Sequence, residues 1–108
     1  MKKIEMPVCK EMKKLRKWLD DNKIPWLDAS EGSKLGGQVS WWMCRTHFRI
    51  KDDEVSVING YGSYGGIMPY RGEGKNQGLL EIMCSWIPDV TGYLTADEVI
   101  KIMEEHMK

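Results

Sequence analysis

The sequence predicts an α+β fold, in which an N-terminal and a C-terminal helix pack on a small antiparallel sheet of three to four strands. Apolar residues recur at helical spacing near both ends of the chain, and the middle holds runs that alternate between apolar and polar residues. The order helix, strands, helix is typical of a sheet with its helices on one face. With 108 residues and no internal repeat, residues 1–108 are expected to form one domain.

An apolar stripe predicts the N-terminal helix. Its members are spaced four, three and four residues apart: Val8, Met12, Leu15 and Leu19. Pro7 suits the first turn, because proline already has a helical φ angle and brings no N–H group that needs a partner. The helix should end before Pro25, since the residue that precedes a proline avoids the helical region.

The middle of the chain predicts strands. Residues 26–29 are expected to form a short edge strand, and residues 30–38, which hold three glycines and two serines, a loop. Residues 39–50 are predicted to form a long strand that pairs with residues 55–59 through a polar turn, as an antiparallel hairpin. Residues 79–85 are predicted to form a third main strand.

A capping box predicts the start of the C-terminal helix. Thr95 can accept a hydrogen bond from the backbone N–H of Glu98, whose carboxylate can reach back to the N–H of Thr95. Apolar residues at helical spacing follow, so the helix is expected to run through His106.

Composition excludes several classes of protein. Hydrophobic residues make up 42% of the chain and charged residues 30%, which favours a globular fold over disorder. The formal net charge is zero, so a strongly basic nucleic-acid-binding protein is disfavoured. Residues 1–17 still hold seven basic side chains against two glutamates, whereas the C-terminal helix is mainly acidic. These are expected to be two solvated helix faces; a head-to-tail homo-oligomer stays open as the alternative.

Cysteine usage and hydropathy favour a reducing cytoplasm. The three cysteines include no Cys-x-x-Cys pair, and no apolar run approaches membrane-spanning length, so neither a disulfide framework nor a membrane partner is expected. Cys44 and His47 should point to opposite faces of their strand, which argues against a zinc site. No metal ion and no cofactor is predicted.

The long strand is the most informative segment, because its two faces differ. Side chains alternate across a strand, so Cys44 belongs to an apolar face. The other face is predicted to carry Trp41, Met43, Arg45, His47 and Arg49. Two positive charges with an imidazole between them suit a carboxylate, a phosphate or an acidic partner surface, and Trp41 could stack or anchor. Alternatively, these side chains pair with Glu54, Ser56 or Glu81 on neighbouring strands.

A second candidate is the glycine- and tyrosine-rich segment 59–66. Glycines let backbone N–H groups approach an anion closely, and successive N–H groups in a turn can form an anion-binding nest. The candidate ligand-binding side chains here are Asn59, Tyr61, Ser63 and Tyr64. The segment lacks the ending of a P-loop and no helical pattern follows it, so neither nucleotide-binding fingerprint applies. A plain glycine-rich connection is the alternative.

An enzyme is disfavoured, although it stays open. A nucleophile needs a base and an orienting acid. Cys84 with a histidine could supply part of this, but no motif supports it. Ser63 does not fit the nucleophile elbow, because Tyr61 stands where the first glycine should be. No catalytic residue is therefore predicted.

The chain carries, in order, the segments 15–28, 44–48, 55–66, 79–81 and 92–98. Their order resembles small accessory proteins of phages and prophages of Gram-positive bacteria, and the resemblance covers most of the chain. It implies a compact, non-enzymatic protein of the bacterial host cytoplasm that is directed against a defence system. Such a protein would either block a host defence protein or sequester a nucleotide signal, and the resemblance brings no established active site.

Three functions are therefore open. The first is a phage-type binding protein that uses the basic face and the glycine–tyrosine segment for a defence protein or a nucleotide-like anionic ligand. The second is a general protein-interaction module in which exposed tryptophan and methionine side chains matter more. The third is a small hydrolase that depends on Cys84 or on an acidic pair.

Overall fold

The computed structural model describes residues 8–36, 38–60 and 78–108, with the backbone alone for residues 33–35 and 38–42. These residues form an α+β fold of two helices and six strands. In chain order the elements are α1 (Lys10–Asp21), β1 (Trp26–Asp28), β2 (Glu31–Leu35), β3 (Gln38–Ile50), β4 (Asp53–Gly60), β5 (Leu80–Cys84), β6 (Thr91–Leu94) and α2 (Ala96–Met107). Neither described helix is long and apolar enough to cross a membrane.

All strand pairs of the sheet are antiparallel, and β3 is its longest strand. The strand order is β1-β3-β4-β5-β6, and β2 pairs with the first part of β3 while β1 pairs with its last part. The predicted α+β class and the antiparallel sheet are thus confirmed. The predicted number of three to four strands is too low, because β2 and β6 were not recognised as strands.

The segment 30–38 was expected to be a loop, and that expectation is wrong. Residues Glu31–Leu35 form β2, whose backbone pairs with β3 from Met43 to Gln38. Glycine and polar side chains weaken an intrinsic preference for strand, but pairing with a long neighbouring strand overrides such a preference. The short edge strand, the long strand and the hairpin are found where they were expected.

A two-residue turn joins β3 to β4. Ile50 pairs with Asp53, and the two residues between them, Lys51 and Asp52, have φ angles of 50° and 68°. Two successive positive φ angles are the mark of the type I′ turn, whose twist matches that of a hairpin. This turn fixes the register of β3 on β4, and with it the face on which each side chain lies.

The hydrophobic core lies between one face of the sheet and both helices. The buried apolar residues of the sheet are Cys44, Phe48, Ile50, Val55, Val57, Leu80, Ile82, Cys84 and Leu94. From the helices, Leu15 and Leu19 of α1 and Val99 and Met103 of α2 are fully buried in the same cluster. Burying one such side chain stabilises a fold by about 1.5–3 kcal/mol. Both helices therefore cover the same face.

The helices also contact each other directly. The Glu11 carboxylate accepts a hydrogen bond from the backbone N–H of Ala96 at 2.7 Å, and Lys14 pairs with Asp97 at 3.0 Å. The capping box predicted for α2 is present, with Thr95 accepting from the N–H of Glu98 at 3.2 Å. The basic and the acidic helix thus lie side by side within one chain.

Candidate functional site

Neither of the two described helices packs on the second face of the sheet. Residues that pair across neighbouring strands share a face, so the registers place Arg45, His47 and Arg49 together on this side. We call this surface the open face. Its described members are Leu27, Glu31, Met43, Arg45, His47, Arg49, Glu54, Ser56, Ile58, Glu81 and Met83.

A trough runs along the open face over β4. It consists of two adjoining depressions with volumes of about 480 and 290 Å³, and both are lined by His47, Ser56 and Met83. The β3 wall of the trough comprises Arg45, His47 and Arg49; the β5 wall comprises Glu81 and Met83; the open-face residues of β4 between them are Glu54, Ser56 and Ile58. Together the depressions reach the size range of ligand sites in proteins.

Both arginines of the β3 wall already have a carboxylate partner. Arg45 contacts Glu31 at 3.5 Å, and Arg49 contacts Glu54 at 3.3 Å. The second pair is largely exposed, at 66% and 80% of the side-chain surface. Such ion pairs are worth about 0–1 kcal/mol and exchange partners readily. The described open face holds two arginines and three glutamates, so it is not a strongly cationic surface.

The cross-strand row of residues through the middle of the trough differs from the arginine–glutamate pairs on either side of it. His47 lies directly opposite Ser56, which lies opposite Met83. In the part of the chain that the structure describes, neither the His47 ring nor the Ser56 hydroxyl forms a hydrogen bond or an ion pair. Met83 is 59% exposed beside them. The centre of the trough therefore offers two unused polar groups and an apolar contact.

Asn59, the remaining predicted site residue whose side chain the structure describes, does not join this row. Asn59 is fully buried on the helix-covered face, where its amide nitrogen donates to the Leu79 carbonyl at 2.8 Å. Its Oδ1 accepts no hydrogen bond among the described residues. The backbone of Trp41 in β3 pairs with Ser33 of β2, but the Trp41 side chain lies outside the described part. Three further candidates also lie outside the described residues: Tyr61, Ser63 and Tyr64.

The three cysteines are buried, and none of them forms a disulfide bond. Burial raises the pKa of all three thiols, Cys84 included, which keeps them protonated at neutral pH. A nucleophilic cysteine needs the opposite shift. Cys44 lies in the core while His47 lines the trough, as their spacing predicted. Within residues 8–36, 38–60 and 78–108, no three His, Cys, Asp or Glu side chains could share a metal ion.

Arg16 is a partly buried residue whose contacts the sequence pattern did not reveal. Its Nε donates to the fully buried Thr46 hydroxyl at 2.8 Å, and its guanidinium reaches Asp28 at 3.3 Å and lies 4.7 Å from the centre of the Trp26 ring. The available signal was its spacing, because Arg16 is four residues after Met12 and three before Leu19 and so lies beside the apolar stripe. Through these contacts Arg16 links α1 to β1 and β3.

His106 forms a second contact that joins distant segments. Its ring stacks on Trp86 at 3.7 Å with an angle of 2° between the planes, and its Nε2 lies 2.7 Å from the Asp53 carboxylate. The hydrogen bond from His106 lowers the pKa of Asp53. This cluster ties the last turn of α2 to the β3–β4 hairpin.

Comparisons of the chain with known protein families, with curated proteins and with solved structures found no match. Among the described residues, the open face thus combines exposed ion pairs, polar groups without a hydrogen-bond partner and exposed apolar side chains.

Proposed function

We propose that this protein is a non-enzymatic, phage-type binding protein that counters a bacterial defence system by docking its open face onto a defence protein. The observation that supports docking is the trough, which has at its centre an exposed apolar side chain and two polar side chains without a partner among the described residues. The choice of a defence protein as the partner, and of the bacterial cytoplasm as the location, rests on the resemblance to phage accessory proteins.

Exposed apolar side chains support a protein partner. Leu27 is 63% exposed and Met83 59% exposed, and both lie in the same cross-strand row as His47. Methionine and leucine in the middle of a polar surface are typical of the core of an interface. Fully burying either side chain would contribute about 1.5–3 kcal/mol.

The charges of the open face also favour a protein over a free anion. Each arginine of the β3 wall has a glutamate beside it, so an anion would have to displace a carboxylate that is already there. Protein interfaces commonly place such ion pairs at the rim around an apolar centre. Sequestration of a nucleotide signal is the second candidate, supported by the two arginines and the imidazole that line the trough.

The test compares two glutamate substitutions of exposed methionines. Met83→Glu places a charge in the trough, whereas Met107→Glu places the same charge on α2, where Met107 is 42% exposed. Wild type and each variant would be expressed in bacteria that carry a phage-defence system, and the cells would then be challenged with phage. We expect wild type and Met107→Glu to restore plaque formation and Met83→Glu to fail, with equal urea midpoints for all three proteins.

Two outcomes would contradict the proposal. Restored plaque formation by Met83→Glu would show that the open face is not the docking surface. Heat on titration of wild type with a cyclic or linear nucleotide, lost in Met83→Glu, would favour sequestration of a signal instead.

A further inference from the structure

The methionines of the described chain differ widely in their access to solvent. Met12 and Met103 are fully buried, Met43 is partly buried, Met107 is 42% exposed and Met83 is 59% exposed. A peroxide must reach the sulfur atom to convert a thioether into a sulfoxide. Met83 is therefore the most accessible of the methionines whose side chains the structure describes.

The surroundings of Met83 can accommodate one added oxygen atom. Ser56 lies directly opposite Met83 in the cross-strand row, and Cβ atoms in such a pair are about 4.5–5.5 Å apart. A thioether is only a weak hydrogen-bond acceptor, and the Ser56 hydroxyl has no partner among the described residues. A sulfoxide oxygen would give this hydroxyl an acceptor, and the depression of about 480 Å³ beside it leaves room. Oxidation of Met83 should therefore leave the fold intact.

Oxidation would nevertheless change the chemistry at the centre of the trough. The Met83 thioether is an exposed apolar side chain of the kind that is buried at the core of an interface. A sulfoxide is polar, and a polar group that loses its water on binding weakens the complex unless the partner supplies a donor. A partner that buries the thioether should therefore bind the oxidised protein more weakly.

We propose that Met83 is a site of reversible oxidation by hydrogen peroxide, and that its oxidation switches off docking through the open face. The inference rests on the proposed docking function and names its regulation. In the forward step the sulfur attacks one peroxide oxygen, the O–O bond breaks, and the departing hydroxide takes the remaining proton from the transferred oxygen. The sulfur loses two electrons and the peroxide yields one water molecule. In the reverse step two thiols of a methionine sulfoxide reductase become a disulfide and the oxygen leaves as water.

The first experiment repeats the plaque assay with and without a sublethal dose of hydrogen peroxide before infection. Met83→Leu keeps an apolar side chain that cannot form a sulfoxide, and Met107→Leu is the matched control at the other exposed methionine. We expect peroxide to abolish the restored plaque formation for wild type and for Met107→Leu, and to leave it unchanged for Met83→Leu.

The second experiment treats purified wild type with limiting peroxide and locates the sulfoxides by peptide mass spectrometry. Met83 should be oxidised before Met107, whereas Met12 and Met103 should react only when the fold opens. The urea midpoint should stay unchanged while oxidation is confined to the exposed methionines.

The inference fails if peroxide changes plaque formation in the same way for wild type and Met83→Leu, or if Met83 is oxidised no faster than the buried methionines. Loss of plaque formation in untreated Met83→Glu would then leave the proposed function standing. If wild type restores no plaques even without peroxide, the proposed function falls, and the order of oxidation in the purified protein still decides whether Met83 is the modification site.

Discussion

Replacing Arg16 with leucine should destabilise the protein much more than its place on a lysine-rich helix suggests. The Arg16 side chain is only 12% exposed. It donates to the buried hydroxyl of Thr46 at 2.8 Å, pairs with Asp28 at 3.3 Å and lies 4.7 Å from the centre of the Trp26 ring. Leucine keeps part of the aliphatic packing and removes these contacts, together with the longer ones to the Arg45 carbonyl at 3.4 Å and the Cys44 sulfur at 3.5 Å.

The size of the effect follows from these contacts. A hydrogen bond to a buried hydroxyl contributes about 1 kcal/mol, and its loss leaves the Thr46 oxygen without this donor. The partly exposed ion pair with Asp28 and the contact with the Trp26 ring contribute about 0.5–1 kcal/mol each. We therefore expect Arg16→Leu to lower the free energy of unfolding by about 2–3 kcal/mol, a large part of the 5–15 kcal/mol typical of a domain.

Urea unfolding followed by tryptophan fluorescence would measure this change. Lys13→Leu is the control, because Lys13 is exposed on the same helix and should change the stability by no more than about 0.5 kcal/mol. In the double variant with Thr46→Val, the loss should be smaller than the sum of the single losses by about 1 kcal/mol, since both changes remove one hydrogen bond. Equal stabilities of Arg16→Leu and Lys13→Leu would refute the reasoning.

Two further predictions concern pH and helix capping. The hydrogen bond from His106 lowers the pKa of Asp53, so the ionised carboxylate stabilises the fold above its usual pKa and this stabilisation is lost as the pH falls through the lowered value. Asp53→Asn should therefore lower the urea midpoint at neutral pH. The midpoints of the variant and of wild type should converge as the pH falls below about 4. Thr95→Ala removes the acceptor for the N–H of Glu98 and should cost about 1 kcal/mol in thermal or urea unfolding.

Each of these has a matched control. Asp89→Asn changes an exposed carboxylate of the β5–β6 connection and should leave the pH profile of stability unchanged. A gap between Asp53→Asn and wild type that persists in acid would contradict the assigned role. Thr95→Ser retains the hydroxyl and should stay close to wild type; a loss as large as that of Thr95→Ala would mean that the capping box does not stabilise α2.

The parts of the fold that could be predicted from the sequence are those with strong local signals. The alternation along β3 is a property of neighbouring residues, so it placed Cys44 on the buried face and His47 on the other before any partner strand was known. The start of α2 was equally local, because Thr95 and Glu98 are three residues apart and form the capping box between themselves.

The parts that could not be predicted depend on contacts between distant residues. β2 contains Gly32 and polar side chains and becomes a strand through its pairing with β3. In the sequence, Arg16 cannot be told from the solvated lysines around it, because its partner, the Thr46 hydroxyl, is 30 positions away. Asn59 was predicted to face a ligand, but it pairs with Cys44 on the buried face, and its amide nitrogen donates to the carbonyl of Leu79, 20 positions away.

Both described helices lie on one side of the sheet. Core side chains and open-face side chains therefore alternate along the same strands. Exchanging a residue such as Ser56 changes the outer surface and leaves its buried neighbours Val55 and Val57 in place. A lineage of such proteins can therefore vary what the sheet presents outward, one position at a time, while the packed interior is inherited unchanged.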